Sequence, residues 1–171
     1  PWGPRRSAKL AIQIILDYFL SARDDLETTS PFEKLSCLSS AANNLRIAAL
    51  LANDAIWRRE NANEYCSGVE LFASSFFNHE FTWVQIGQPH LFLARKGKVI
   101  IPLSAAIDLS FETSHENLNL PPLPNQMVGV DSTVNVFTSS FKPQKGDRLI
   151  LLSRSEFPAK FYSTTPGEQA I

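Results

Sequence analysis

Residues 81–104 read FTWVQIGQPHLFLARKGKVIIPLS and carry the clearest strand pattern in the chain. The side chains of the first six residues alternate between two faces, as expected of a β-strand. Gly87-Gln88-Pro89 then interrupts the run, because glycine permits unusual backbone angles and proline cannot donate to a neighbouring strand. The pattern resumes at His90–Arg95, turns at Lys96-Gly97 and continues through Val99–Leu103. The stretch therefore predicts three short strands.

Upstream of this stretch, the spacing of apolar residues predicts two long helices. Trp2 to Arg6 is typical of a turn, and Ser7 is a candidate N-cap for a helix over about residues 7–25. A second helix is predicted over about residues 32–61. Apolar residues recur near the helical period in both segments: Ala8, Leu10, Ala11, Ile14, Ile15, Tyr18 and Phe19 in the first, and Leu35, Leu38, Ala42, Leu45, Ala49, Ala52 and Ile56 in the second.

The rest of the chain is predicted to be mostly β. Strands are expected between about residues 68 and 154, with Asn78-His79-Glu80 as a turn, Ser132–Phe141 as a strand and Asp147 as a turn residue. Residues 163–171 are predicted to form a polar tail. Two helices followed by strands indicate a single α+β domain over residues 1–171, with antiparallel helices packed on an antiparallel sheet.

Composition excludes several classes of function. The chain has 171 residues, 44% hydrophobic and 19% charged, with a net charge of -1, which fits one globular domain. Such a charge gives no general reason to bind nucleic acid. No apolar run approaches the ~20 residues of a membrane span. Cys37 and Cys66 lack metal-site or redox-motif spacing, so we expect reduced, partly buried thiols. The sequence shows no Asn-x-Ser/Thr acceptor site and no signal peptide, so we expect a cytoplasmic protein.

Several short segments, taken in chain order, resemble the metal-dependent type 2C serine/threonine protein phosphatases. Trp2-Gly3-Pro4-Arg5, Ser7 and Ala11 are similar to the family's Asp-Gly-x-Gly-Gly, Ser and Ala. The other similar segments are Asn53 and Ile56 (Ala-Asn-x-x-Ile), Ser67-Gly68-Val69-Glu70 (Met-Gly-Thr-Thr), Gly87-Gln88-Pro89-His90 (Gly-Asp-Ser-Arg), Met127-Val128-Gly129 (Ala-Leu-Gly) and Gly146 to Ser153 (Gly-Asp-x-Leu-Leu-Leu-x-Ser).

The resemblance implies an α-β-β-α sandwich and a two-metal hydrolase of phosphoserine and phosphothreonine. Such metals require carboxylate oxygens. The family's aspartates correspond here to Trp2, Gln88 and Arg154, although the position of Gln88 is a less direct ligand. An arginine in place of a carboxylate reverses a full charge beside a dication, which is strongly unfavourable. These departures from the family's pattern therefore imply no bound metal, no other cofactor and no catalytic residue.

The resemblance also implies that four cations surround the former metal site: Arg5, Arg6, His90 and Arg154. They are candidates for binding a phosphate or an acidic peptide. The alternative is a vacated cleft in which the arginines are solvated or paired with carboxylates. The family's first strands and its last helix and strand have no counterpart in the sequence. We expect either a fragment of a longer domain or a chain completed by a partner.

Three functional hypotheses remain open. The first is a pseudophosphatase, a catalytically inactive domain that binds a protein such as a kinase, a phosphoprotein or a subunit of a complex. The second is a divergent active phosphatase whose metal ligands lie outside the given chain. The third is an unrelated α+β structural subunit. Assays of metal-dependent turnover separate the first two, and topology tests the third.

Overall fold

The computed structural model describes residues 3–25, 29–62, 66–87, 89–95, 98–103 and 127–152. The turn predicted at Lys96-Gly97 and the tail predicted at 163–171 lie outside these ranges. The chain divides into two compact units. The first unit comprises residues 1–87 and 126–142, and the second unit comprises residues 88–125 and 143–171.

The first unit contains two helices that run antiparallel. Helix α1 spans Gly3–Asp24, and α2 spans Ser40–Ala55 and continues as a π-helical turn over Ile56–Glu60. The side-chain amide of Asn44, early in α2, donates to the carbonyl of Ala22 at the end of α1 (3.3 Å). At the opposite ends, Arg6 pairs with Glu60 (3.0 Å). These contacts confirm the predicted antiparallel pair.

The predicted start of the first helix is wrong. Helix α1 begins at Gly3, and Ser7 is fully buried inside it instead of capping its end. Pro4 lies in the first turn, where proline is tolerated because the backbone N–H has no intrahelical partner. The predicted end, at residue 25, agrees with the structure.

The predicted start of the second helix is also wrong, by eight residues. Ser39 is the N-cap of α2, and its hydroxyl accepts from the backbone N–H of Ala42 (3.3 Å). The side chain of Asn43 then folds back on Leu35, accepting from its N–H (2.8 Å) and donating to its carbonyl (2.9 Å). Short polar side chains favour such caps and loops over helix interiors. The segment before Ser39 is consequently a loop.

Six strands are described: β1 (Leu71–Phe77), β2 (Glu80–Ile86), β3 (His90–Arg95), β4 (Lys98–Pro102), β5 (Phe137–Phe141) and β6 (Arg148–Leu152). Strand β3 matches its predicted bounds. The predicted strand Ser132–Phe141 is shorter, because its first five residues make no ladder. The turn between β1 and β2 is confirmed, with Asn78 and His79 both at positive φ, 50° and 62°.

The six strands form two antiparallel sheets. The first unit holds the order β1-β2-β5, and the second unit holds β4-β3-β6. The three strands predicted from residues 81–104 are therefore divided between the sheets, since β2 belongs to one sheet and β3 and β4 to the other. The change occurs at Gly87, whose φ of 85° is readily accessible only to glycine.

The core of the first unit lies between the helices and one face of its sheet. The alternation predicted for β2 is confirmed. Val84 and Ile86 join the helical core, whereas Phe81 and Trp83 stack at 6.0 Å, each 5.8–6.1 Å from the ring of Phe141. The buried core consists of Ala11, Ile15, Leu45, Ala48, Ala49, Ala52, Ile56, Leu71, Val84, Ile86 and Val128.

Two expectations from composition can be compared with the structure. Cys37 and Cys66 are free thiols, but both are exposed, so the expected partial burial is wrong. Within the described ranges, neither helix has the length and apolar character needed to cross a bilayer.

Candidate functional site

Four of the segments that carry the family resemblance meet in the first unit. They contribute Ser7 from α1, Asn53 from α2, Ser67 from the segment before β1, and Gly129 from the segment before β5. Asn61, just after the π-helical turn, connects them. These five residues are referred to below as the polar network. Residues from 7 to 129 therefore converge on one place.

One half of the polar network joins the start of α1 to the chain entering β1. The hydroxyls of Ser7 and Ser67 are 2.5 Å apart. Asn61 holds the main chain of Ser67 from both sides, accepting from its N–H (2.8 Å) and donating to its carbonyl (2.9 Å). The π-helical turn ends with the N–H of Asn61 donating to the carbonyl of Ile56 (3.0 Å). This turn sets the position of the Asn61 side chain.

The other half joins α2 to the chain entering β5. The side chain of Asn53, only 2% exposed, accepts from the N–H of Gly129 (2.7 Å) and donates to the carbonyl of Asp131 (3.0 Å). Asn61 donates to the carbonyl of Gly129 (2.6 Å). Buried main-chain groups are costly when unpaired. The two asparagines satisfy groups that no strand ladder reaches.

Two glycines allow the segments to approach closely. A Cβ on Gly129, whose φ is 90°, would overlap the side chain of Ile56. A Cβ on Gly68 would lie 2.7 Å from Met127 Cβ and Val130 Cγ2. Val69 and Val128 bridge between these glycines with paired main-chain hydrogen bonds of 3.1 and 2.9 Å. Steric crowding therefore explains why glycine occupies positions 68 and 129 of the segments that carry the resemblance.

The described part of the site does not fit a divalent metal. The hydroxyls and amides of the polar network bond to one another or to the main chain, and Glu60 beside it pairs with Arg6. A hard cation requires several oxygens that are not already committed. Across the residues that the structure describes, no group of three or more His, Cys, Asp or Glu side chains could hold a metal.

The structure places only part of the predicted cation cluster. Arg5 and Arg6 are exposed on the first turns of α1. Arg6 pairs with Glu60, which is the arrangement expected for a vacated cleft whose arginines pair with carboxylates. His90 begins β3 in the second unit. Trp2, Gln88 and Arg154 lie outside the described residues. The cluster of Arg5, Arg6, His90 and Arg154 stays a prediction.

One ion pair was missed by the sequence analysis. Arg95 on β3 binds Asp147 through two hydrogen bonds of 2.8 Å. These bonds, together with one from the N–H of Gln144 (2.8 Å), lower the pKa of Asp147 to about 2. The turn role predicted for Asp147 is confirmed by this last bond. The pair is separated by 52 positions, so no local pattern signals it.

The fold defined by these elements is that of the type 2C serine/threonine phosphatases. Two of the solved structures that share it are PppA and PstP/Ppp. One is PppA, a key regulatory component of T6SS in Pseudomonas aeruginosa, with a TM-score of 0.54, 16% identity, and coverage of 82% of this chain and 57% of that one. The other is the Mycobacterium tuberculosis serine/threonine phosphatase PstP/Ppp, with a TM-score of 0.57, 18% identity, and coverage of 87% and 63%.

The predicted resemblance is thus confirmed at the level of the fold. The hypothesis of an α+β subunit with an unrelated fold is wrong. The chain spans less than two thirds of the length of either solved structure. No protein-family model and no curated protein matches the sequence.

Proposed function

We propose that this chain is a phosphatase-like domain that does not hydrolyse phosphate esters and that acts in regulation by binding another protein. By the sequence resemblance, Trp2, Gln88 and Arg154 correspond to aspartates of the family. Neither tryptophan nor arginine can ligate a hard cation, and arginine adds a repelling charge. This supports a scaffold that has lost its metals.

The observation that carries the proposal is the self-contained bonding of the polar network. Asn53 and Asn61 each use both ends of the side-chain amide on main-chain groups, and the Ser7 and Ser67 hydroxyls bond to each other. Such a network stabilises the meeting of the resembling segments and offers no free carboxylate to a metal. It fits a retained scaffold better than a reaction centre.

Regulation through a partner is favoured by one structural neighbour. PppA is described as a regulatory component of T6SS. By analogy of fold, we propose that the partner of this chain is a protein, such as a kinase, a phosphoprotein or a subunit of a larger complex, in the cytoplasm. Fold analogy alone supports this step.

A turnover assay tests the proposal. The chain is incubated with p-nitrophenyl phosphate and manganese, alongside an active type 2C phosphatase as positive control, and manganese binding is measured by calorimetry. We expect neither binding nor turnover above a blank without protein. Metal-dependent turnover that a chelator abolishes would overturn the proposal in favour of a divergent active phosphatase.

A further inference from the structure

Helix α1 has a second apolar face besides the one that it buries. Its core face carries Ala11, Ile15 and Ala22, which are 1–6% exposed. A separate row of Ile12, Leu16 and Leu20 is 58%, 53% and 44% exposed. At 3.6 residues per turn, the two faces are centred about 120° apart around the helix. A helix that is apolar well beyond its core-facing stripe is normally covered on the additional face as well.

The exposed row has the geometry of a helix-packing ridge. Ile12, Leu16 and Leu20 are spaced by four residues, and rows with this spacing fit into the grooves of a second helix. The row exposes on the order of 300 Å² of apolar surface, a patch size that on a monomer is often functional. We refer to these three residues as the α1 ridge.

Charge next to the α1 ridge selects the kind of helix. Arg5 and Lys9 are exposed and lie on the same side of α1 as Ile12, two turns and one turn before it, respectively. A second copy of the chain is a poor occupant. Parallel pairing of two α1 helices would place Arg5 and Lys9 opposite their own copies, and antiparallel pairing centred on Leu16 would place Lys9 opposite Arg23. A helix bearing carboxylates is complementary to this end of the ridge.

We propose that the α1 ridge is a docking surface for an acidic amphipathic helix of a protein partner. The partner helix lays its apolar positions along Ile12, Leu16 and Leu20, and its carboxylates lie beside Arg5 and Lys9. This proposal specifies the chemistry of the protein partner, and it therefore rests on the proposed function, in which the chain acts by binding a protein.

The test uses a defined probe. A labelled synthetic helix of about 20 residues, long enough to be helical in water, carries leucines spaced by four with glutamates beside them. A second peptide has the same composition with the leucines scrambled, and a third has lysines in place of the glutamates. Fluorescence anisotropy gives the dissociation constants. We expect the acidic patterned peptide to bind at least 10-fold more tightly than either of the others.

Single substitutions test whether the acidic peptide binds at the α1 ridge. Leu16→Lys should weaken binding of the acidic peptide at least 10-fold, because a buried leucine is replaced by a charge. Leu151→Lys is the matched control, since Leu151 is also a half-exposed leucine (50%) but lies on β6. Lys9→Glu should weaken the acidic peptide about threefold and strengthen the lysine peptide by a similar factor. Circular dichroism verifies that each variant is folded.

Several results would overturn the docking surface. The proposal is wrong if the patterned peptide does not bind, if the scrambled peptide binds equally well, or if Leu16→Lys and Leu151→Lys weaken binding equally. Concentration-dependent self-association that Leu16→Lys abolishes would instead show that a second copy covers the ridge. Binding to phosphatidylserine vesicles that the same variant abolishes would show a membrane role.

The failure of this docking surface can be distinguished from the failure of the proposed function. Manganese-dependent turnover would refute the catalytically inactive domain without changing the dissociation constant of the peptide. Loss of peptide recognition would refute the α1 ridge without creating turnover.

Discussion

The two units of the chain hold their distant segments together with different chemistry. In the first unit, apart from the ion pair of the exposed Arg6 with Glu60, neutral side chains hold the segments: Asn43, Asn53 and Asn61 bond to the main chain of segments far from their own positions or at helix ends. In the second unit, the charged pair of Arg95 and Asp147 ties β3 to the turn before β6. Amides keep their hydrogen bonds at every pH, whereas a carboxylate loses its charge in acid. The two units should therefore respond differently to substitution and to pH.

The largest effect is expected where two segments of the first unit touch. Gly129→Ala combines strain at a φ of 90° with overlap on buried Ile56, so we expect a loss of about 3–4 kcal/mol of unfolding free energy. Gly146→Ala in the second unit is the control, since its φ is 94° but no atom lies within 4 Å of the added Cβ. It should cost about 1 kcal/mol. Urea denaturation measures both, and equal losses would contradict the steric argument.

A smaller effect is expected from removing one amide of the polar network. Asn53→Ala leaves the N–H of Gly129 and the carbonyl of Asp131 without their partner, and should cost about 2–3 kcal/mol. Asn44→Ala is the control on the same helix, because within the described ranges Asn44 makes a single side-chain hydrogen bond, of 3.3 Å, and its buried Oδ1 has no partner. It should cost clearly less. Thermal melts at neutral pH compare the two, and a larger loss for Asn44→Ala would contradict this interpretation.

The smallest effect is expected in the second unit and depends on pH. The pKa of Asp147 falls from its ordinary value of 3.8 to about 2, chiefly because of its hydrogen bonds with Arg95. Its charged form is thus favoured by folding, so the stabilisation is complete above about pH 5 and is lost as pH falls towards 2. Asp147→Asn should lower Tm at pH 7 and leave it nearly unchanged near pH 2.

The control for this pH dependence is Asp54→Asn. Asp54 pairs with Arg58 on the exposed surface of α2 (2.6 Å), and such i,i+4 pairs contribute little. Its Tm difference should be small at both pH values. A Tm difference for Asp147→Asn that persists at pH 2 would mean that packing, and not charge, is lost. The same melts of Asn53→Ala should show no such change with pH.

Regular strands were predictable because their pattern is local. The bounds of His90–Arg95 and the two faces of Phe81–Ile86 follow from alternation and from the break at Gly87. The start of α2 was not predictable from apolar spacing. Leu35 and Leu38 continue the helical pattern towards the N-terminus, but the helix begins only after Ser39, where the side chains of Ser39 and Asn43 cap it. Local apolar spacing cannot reveal that a cap competes successfully with another turn of helix.

The candidate site was predictable only in part. Ser7, Asn53, Ser67 and Gly129 lie in segments that the family resemblance marks, but their mutual bonds depend on the tertiary fold. Asn61 lies outside the segments that resemble the family, and the π-helical turn that positions it has no sequence signature. Its side chain joins both halves of the polar network, so the residue with the most connections was the one that the sequence did not indicate.

The spacing of the polar network along the chain has a consequence for the order of folding. The hairpin β1–β2 closes across two residues, whereas Ser7 meets Ser67 across 60 positions and Gly129 meets Asn53 across 76. Closing long loops costs more entropy and slows the formation of the contacts that they bring together. We therefore expect the hairpin to form early and the network late, so that the domain acquires its candidate site only in the last stage of its maturation.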